Sequence, residues 1–169
     1  MTLDRFTVKA QEAMVEAQRL AQQRGHQQLE VEHLLLALLA DHEGVPATLL
    51  KRVGANTGAI AQHTDQTLAR LPQVQGGTEA GRVYVSPRLD AVLRAAEDEM
   101  HAFKDEYIST EHLLLAIAGE RGGASAAALA GEGPRAWPPI ARGGVGQLNR
   151  VSPSARIHAA NGLRVANAG

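Results

Sequence analysis

The chain has 169 residues, no cysteine and a formal net charge of −1 at pH 7. The length allows one ordinary domain or two small halves that share a core. The lack of cysteine excludes disulfide bonds and thiolate metal sites. The first residues carry no apolar stretch like that of a secretory signal, and no apolar run reaches membrane-spanning length. These features predict a soluble protein of the cytoplasm.

The string EHLLLA occurs at residues 32–37 and again 79 positions later, at 111–116. With the same offset and no gap, the similarity covers about the first 54 residues of each copy. Thr7 falls opposite Ser86, for example, and Gly44 falls opposite Gly123. A chance match of six letters does not extend in this way. The sequence therefore contains a duplicated supersecondary unit.

Apolar residues in each copy recur at spacings of three and four, which is typical of amphipathic helices. Thr7 and Ser86 are the predicted N-caps of the first helix of each copy, and Pro87 suits a first helical position. Further helices are predicted at about 30–40, 45–52 and 57–70, and at about 109–118 and 124–130. The predicted core positions of the two first helices are Val8, Met14, Ala17, Leu20 and Ala21, then Leu89, Val92, Leu93, Ala96 and Met100. No convincing strand alternation is present, so the predicted class is all-α.

A composition change divides the chain. The predicted domain covers 1–133, with repeat one at 1–71, a linker at 72–85 and repeat two at 86–133. Paired glycines mark the linker, and VYV at its end is predicted to pack as an extended piece. The remaining residues, 134–169, are predicted to form an irregular or disordered tail.

The second copy loses its pattern where a fourth helix should begin. Pro138 and Pro139 align with Ala59 and Ile60 of the first copy. A proline inside a helix costs about 3 kcal/mol or more, whereas burying a leucine contributes about 1.5–3 kcal/mol. The eighth helix is therefore predicted to be missing or degraded. Its loss is expected to leave three apolar positions partly uncovered, namely Leu113, Ile117 and Leu129.

The tail differs from the rest of the chain in charge. Residues 134–169 carry five arginines and no acidic residue, whereas residues 1–133 carry 12 Lys and Arg against 18 Asp and Glu. The arginines are spaced singly rather than clustered, so nucleic acid is not favoured as a partner. Because Ala, Gly, Pro and Arg all have GC-rich codons, one hypothesis is that the tail is read from another frame and the chain is a truncated product.

The two copies resemble the paired repeats of the Clp N-terminal domain. MTLDRFTVKAQEAM at the start, ARLPQV at the end of repeat one and YISTEHLLLA in repeat two are most similar to the ClpB disaggregases. The resemblance covers about residues 1–133. It implies a compact bundle of two pseudo-symmetric four-helix repeats, which engages unfolded or aggregated polypeptide through a shallow apolar groove. An alternative is a free-standing adaptor or regulator that docks on a Clp ring or its clients.

No catalytic motif accompanies this resemblance. The sequence contains no GxxxxGK[ST] string, and none of its three lysines follows a glycine, so the chain is not predicted to be an ATPase or another enzyme. His33 and His112 stand at equivalent positions, but no spacing suits zinc, which needs three or four converging ligands. They are predicted to be packed, hydrogen-bonded core residues. No metal or cofactor is predicted.

The resemblance implies substrate contact at Thr7, Asp105 and Glu111. Each residue also has a simpler interpretation: Thr7 caps a helix, Glu111 is stabilised by the helix dipole, and Asp105 belongs to a solvated loop. In Clp relatives, the acidic residues of both EH positions also receive phosphorylated arginine, which implies Glu32 and Glu111 here. Position 31 is valine, where these relatives usually carry threonine.

Overall fold

In the computed structural model of the chain, the residues described are 3–73 and 83–132. They form α1 (Val8–Gln23), α2 (Val31–Ala40), α3 (Val45–Arg52), α4 (Thr57–Ala69), α5 (Pro87–Phe103), α6 (Thr110–Ala118) and α7 (Ala124–Glu132), with a 3-10 helix at Leu3–Arg5 and two short strands, β1 (Gln28–Leu29) and β2 (Tyr84–Val85). The predicted all-α class is confirmed. The position of the eighth helix, the tail at 134–169 and most of the linker lie outside the described residues.

The helices repeat at the offset found in the sequence, because α1, α2 and α3 each begin 79 residues before α5, α6 and α7. Both predicted N-caps are confirmed. Thr7 Oγ1 accepts from the Ala10 N–H at 3.3 Å, and Ser86 Oγ accepts from the Leu89 N–H at 3.1 Å. Each side chain thereby satisfies a backbone donor that the first helical turn leaves unpaired. Pro87 stands in the first turn of α5, as predicted.

The turn after each first helix contains a left-handed residue. Gly25 has a φ of 68° and Lys104, 79 positions later, has a φ of 61°. Glycine adopts this conformation at little cost, whereas the Cβ of lysine is crowded there. The two repeats therefore build the same turn from residues of different conformational cost.

Two short parallel backbone pairings join the repeats. Leu29 pairs with Val85 between β1 and β2, which confirms the predicted extended piece before α5. At the equivalent place, Phe6 pairs with Ile108. The Thr7 N–H donates to the Ile108 carbonyl oxygen at 2.9 Å. Each pairing thus holds the start of the first helix of one repeat beside the start of the second helix of the other.

The core lies between the apolar faces of the helices. The five residues predicted for α5 are all buried. The prediction for α1 is wrong at Val8, which is 69% exposed, and the two largest predicted side chains, Met14 and Leu20, are only partly buried. The buried face of α1 consists of alanines, at 10, 13, 17 and 21. Their small side chains let α1 pack closely against α2.

The positions expected to be uncovered by the loss of an eighth helix are buried. Leu113, Ile117 and Leu129 are each at most 1% exposed, so that prediction is wrong. The physical reason is the packing of the preceding helices. α7 packs against α4 and α6, while α6 also packs against α5 and α2. These contacts already remove the three side chains from solvent.

Candidate functional site: a groove between the repeats

A groove of about 1060 Å³ lies where the N-terminal half of α1, the end of α2, the start of α3 and the first turn of α6 meet. Its apolar lining includes Val8, Ala13, Leu38, Val45 and Pro46. Ala13, Leu38 and Pro46 are buried, whereas Val8 and Val45 are 69% and 46% exposed. The groove therefore presents two valine side chains to solvent above a buried apolar floor.

Acidic side chains dominate the polar lining of this groove. They are Glu12, Glu16, Asp41, Glu43 and Glu111, and Lys9 is the basic residue among the groove-lining positions. Lys9 Nζ lies 3.0 Å from Glu12 Oε2, and this hydrogen-bonded ion pair, with a smaller contribution from Asp41, raises the pKa of Lys9. The groove consequently carries an excess of negative charge, which favours cationic groups on a ligand.

Two of the residues implied by the family resemblance, Thr7 and Glu111, line the groove together. The backbone bond from Thr7 to Ile108 brings the start of α1 to the start of α6, which explains how residues so distant in sequence meet. The Glu111 carboxylate accepts from Thr110 Oγ1 at 3.2 Å. Within residues 3–73 and 83–132, Glu111 forms no ion pair. Its charge is therefore available to a ligand.

The other two implied residues, Asp105 and Glu32, do not line the groove. Asp105 Oδ2 lies 3.1 Å from His112 Nε2. Glu32 is buried, and its Oε1 accepts from Arg88 Nη2 at 2.9 Å. Substrate contact at Asp105 and Glu32 stays a prediction, and both carboxylates have partners within the chain.

The equivalent histidines, His33 and His112, are part of the helix caps. The Glu30 N–H donates to His33 Nδ1 at 2.9 Å, and the Ser109 N–H donates to His112 Nδ1 at 3.0 Å. Because each Nδ1 accepts, the proton of each neutral ring lies on Nε2. The prediction of packed, hydrogen-bonded core histidines is confirmed, since both residues are buried.

The second ring nitrogen of each capping histidine has a different partner in each repeat. His33 Nε2 donates to His26 Nδ1 at 2.8 Å, whereas His112 Nε2 donates to the Asp105 carboxylate. Burial, with a smaller contribution from the neighbouring His26, lowers the pKa of His33 to about 4. Burial also lowers the pKa of His112, but the negative charge of Asp105 opposes that change. Asp105 therefore supports the cap at the start of α6, next to Glu111.

Sequence reasoning did not find the residues at the far side of the groove, Asp41 and Val45, or the groove lysine, Lys9. Asp41 and Val45 lie outside the quoted motifs, and Lys9 lies inside MTLDRFTVKAQEAM without a role implied for it. The repeat alignment held a signal, because Lys9 and Asp41 fall opposite Arg88 and Glu120 at the common offset. The alignment gives that correspondence, but it does not show that Lys9 and Asp41 line one groove or that Arg88 pairs with Glu120.

Two other kinds of feature are absent from the part of the chain that the structure describes. In those residues, no group of three or more His, Cys, Asp or Glu side chains is placed to hold a metal ion. None of the described helices combines the length and the apolar character needed to cross a membrane.

Comparison with known families matches residues 5–131 to the Clp repeat (R) N-terminal domain. Among curated proteins, the chain is 36% identical over 162 residues to the chaperone protein ClpB of Nitratidesulfovibrio vulgaris, and 39% identical over 117 residues to ClpB of Porphyromonas gingivalis. These alignments cover 95% and 69% of this chain, and the first continues past residue 133. The chain spans only 18% and 13% of the length of these relatives.

Solved structures share the fold. The Hsp104 N-terminal domain from Candida albicans has a TM-score of 0.66 at 23% identity, over 76% of this chain and 82% of that chain. The N-terminal domain of the ClpV1 ATPase from E. coli has a TM-score of 0.68 at 28% identity, over 90% of this chain and 86% of that chain. The arrangement of helices around the groove is therefore that of a known domain.

Proposed function

The chain belongs to the family of Clp repeat (R) N-terminal domains, and we propose that it engages unfolded or aggregated polypeptide in the cytoplasm for a ClpB-like disaggregase. In this proposal the chain supplies recognition, while ATP hydrolysis belongs to parts of the relatives that it does not span. Its partners are non-native polypeptides, and a Clp ATPase ring is the machine to which it delivers them.

One observation supports the proposal above the others: the groove combines exposed apolar side chains with more acidic than basic groups. Burying a valine in a partner contributes about 25 cal/mol per Å² of apolar surface removed from water. Unfolded chains expose the large apolar side chains that folded proteins mostly bury in a core. The acidic residues, Glu111 among them, add a preference for segments that carry arginine or lysine next to apolar residues. We propose these segments as the substrate class.

The test is binding of a permanently unfolded, basic protein, reduced and iodoacetamide-alkylated lysozyme, measured by fluorescence anisotropy. The double variant Val8→Ser with Val45→Ser should weaken binding about tenfold, which corresponds to about 1.4 kcal/mol. The matched control is Val15→Ser, because Val15 is 60% exposed on the same helix as Val8 but does not line the groove. Equal weakening in the control, or wild-type affinity in the double variant, would reject the groove as the binding surface.

A comparison of a basic with an acidic unfolded probe tests whether the negative charge of the groove selects the substrate. Glu111→Gln removes one negative charge from the groove and should weaken binding of the basic probe. Binding of an acidic probe, reduced and carboxymethylated α-lactalbumin, should be weak in the wild type and change little in the variant. If both probes respond alike, charge does not select the substrate.

A second candidate is an adaptor or regulator that docks on a Clp ring or its clients. The chain resembles the N-terminal domain of the ClpV1 ATPase over 90% of its length as well as ClpB, so its similarity is not confined to one Clp ATPase. Co-migration of the purified chain with an intact ClpB ring in gel filtration, without binding to the unfolded probe, would support this candidate over the first.

A further inference from the structure

The two helix-capping histidines are held by residues at equivalent positions. His26 and Asp105 are 79 residues apart, as His33 and His112 are. Each follows a residue with a left-handed backbone, and each backbone N–H donates to a carbonyl oxygen of the preceding helix, at 2.9 and 3.0 Å. Both then place an acceptor beside Nε2 of the capping histidine of their own repeat. The duplication therefore includes a capping network of three positions, namely an acceptor, a histidine and the N-cap residue that the histidine serves.

The capping network of the second repeat ends at the groove, whereas that of the first repeat does not. Ser109, Thr110 and Glu111 all line the groove, but the equivalent residues 30–32 do not. The Ser109 N–H donates to His112 Nδ1 at 3.0 Å, and Asp105 Oδ2 lies 3.1 Å from His112 Nε2 on the other side of the ring. The position of this part of the groove wall therefore depends on the orientation of one imidazole ring.

Two contacts fix the orientation of the His112 ring. The side chain is 4% exposed, and its ring lies against that of Phe103 at the end of α5, with the ring centroids 5.4 Å apart. The Asp105 carboxylate holds the outer edge of the ring at Nε2. A carboxylate only accepts, so it keeps the proton on Nε2 and leaves Nδ1 to accept from Ser109. Its negative charge also makes the ring a better acceptor at Nδ1, as carboxylates do for metal-binding histidines.

We infer that Asp105 is a positioning residue of the groove: it orients His112, which holds the first turn of α6, and it does not itself touch the polypeptide. Its effect on binding rests on the proposed function. The inference replaces the direct substrate contact that the family resemblance implies for Asp105, because this carboxylate lies outside the groove and has a partner within the chain. The groove residue that Asp105 controls is Glu111, which lies in the turn that His112 caps.

The first test uses the whole chain with Asp105→Ala, which removes the acceptor from an exposed loop. Exchange of the Ser109 amide hydrogen, followed by NMR, should become about fivefold faster, because the cap weakens when its histidine is free to turn. Binding of alkylated lysozyme should weaken about threefold. The matched control is Glu106→Ala, because Glu106 is the next residue in this loop, is exposed and does not line the groove. Unchanged Ser109 exchange in Asp105→Ala, or equal changes in the control, would overturn the inference.

The second test separates positioning from direct contact by means of His112→Gln. A glutamine at the third helical position accepts from the N-cap N–H in a capping box, but it has no ring for Asp105 to orient. In this background, adding Asp105→Ala should leave the affinity for alkylated lysozyme unchanged. The same threefold loss with histidine and with glutamine at position 112 would mean that Asp105 contacts the polypeptide, and would overturn the inference.

Amide exchange and binding together separate the two proposals. A wild type that does not bind alkylated lysozyme, together with faster Ser109 exchange in Asp105→Ala, would reject the proposed function and keep Asp105 as the residue that positions the start of α6. A wild type that binds, together with unchanged exchange and affinity in Asp105→Ala, would reject the inference and keep the proposed function.

Discussion

The two halves of the molecule surround two equivalent places with equivalent helices and then treat them differently. In the first, Lys9 is drawn to Glu12 and leaves the acidic groove open. In the second, Arg88 pairs with Glu32 and Glu120, whose carboxylates are largely buried, while its own side chain stays 43% exposed. The comparison shows that, in a duplicated fold, one long side chain with suitable donor geometry can occupy a place that its counterpart leaves open.

The helix caps show the same divergence. His33 and His112 cap α2 and α6 with the same hydrogen bond at Nδ1. Their Nε2 atoms differ in partner, because His33 Nε2 donates to the neutral ring of His26 and His112 Nε2 donates to the charged carboxylate of Asp105. The first repeat therefore contains a pair of buried imidazoles that proton uptake would disrupt. The second contains a histidine whose cation a carboxylate can stabilise.

The largest expected effect comes from the equivalent glutamates. Glu32→Ala should lower the free energy of unfolding by about 2 kcal/mol, because it leaves the guanidinium of Arg88 without one of its paired carboxylates. Glu111→Ala should change it by less than about 0.5 kcal/mol, since its carboxylate has no ion pair among the described residues. Urea unfolding of both variants makes the comparison. Equal losses would contradict the distinction between a filled and an open place.

The next largest expected effect is a dependence of the free energy of unfolding on pH, which should arise from His33 in the first repeat. The pKa of His33 is lowered to about 4 in the folded chain, below the ordinary value of 6.5. The unfolded state then binds more protons, so this stability is complete above about pH 6.5 and is lost as the pH falls toward 4. We expect a loss of about 1–2 kcal/mol between pH 7 and pH 5, measured by urea unfolding.

The control for that loss is His33→Gln, which removes the titrating ring. The variant should be less stable at pH 7, and its unfolding free energy should depend less on pH between 7 and 5. A wild type as stable at pH 5 as at pH 7 would show that the ring gains protons without disturbing the fold.

The smallest expected effect concerns the left-handed turns. Gly25→Ala should destabilise the chain by about 1 kcal/mol, because alanine is strained at positive φ. Lys104→Gly should stabilise it by less than about 1 kcal/mol, since relief of strain is offset by the greater freedom of glycine in the unfolded chain. Midpoints of urea unfolding check both. Changes of the same sign would mean that the two turns are not equivalent.

Much of the fold follows from local patterns. The caps at Thr7 and Ser86, the buried face of α5 and the offset between the repeats all rest on residues close in sequence, and each is confirmed. The predicted buried face of α1 is wrong at Val8, because a periodic pattern gives large apolar side chains more weight than alanines. Close helix packing selects the alanines instead, and packing distance is not a local property.

The candidate site likewise has features that follow from the sequence and features that only the tertiary structure decides. The sequence by itself determined the duplication, the family and the positions of Thr7 and Glu111 within it. Tertiary structure alone decided that these two residues meet across the Phe6–Ile108 pairing, and that Glu32 faces Arg88. The physical reason is that helix type depends on neighbours in sequence, whereas ion pairs and grooves depend on which side chains the fold brings within a few ångströms.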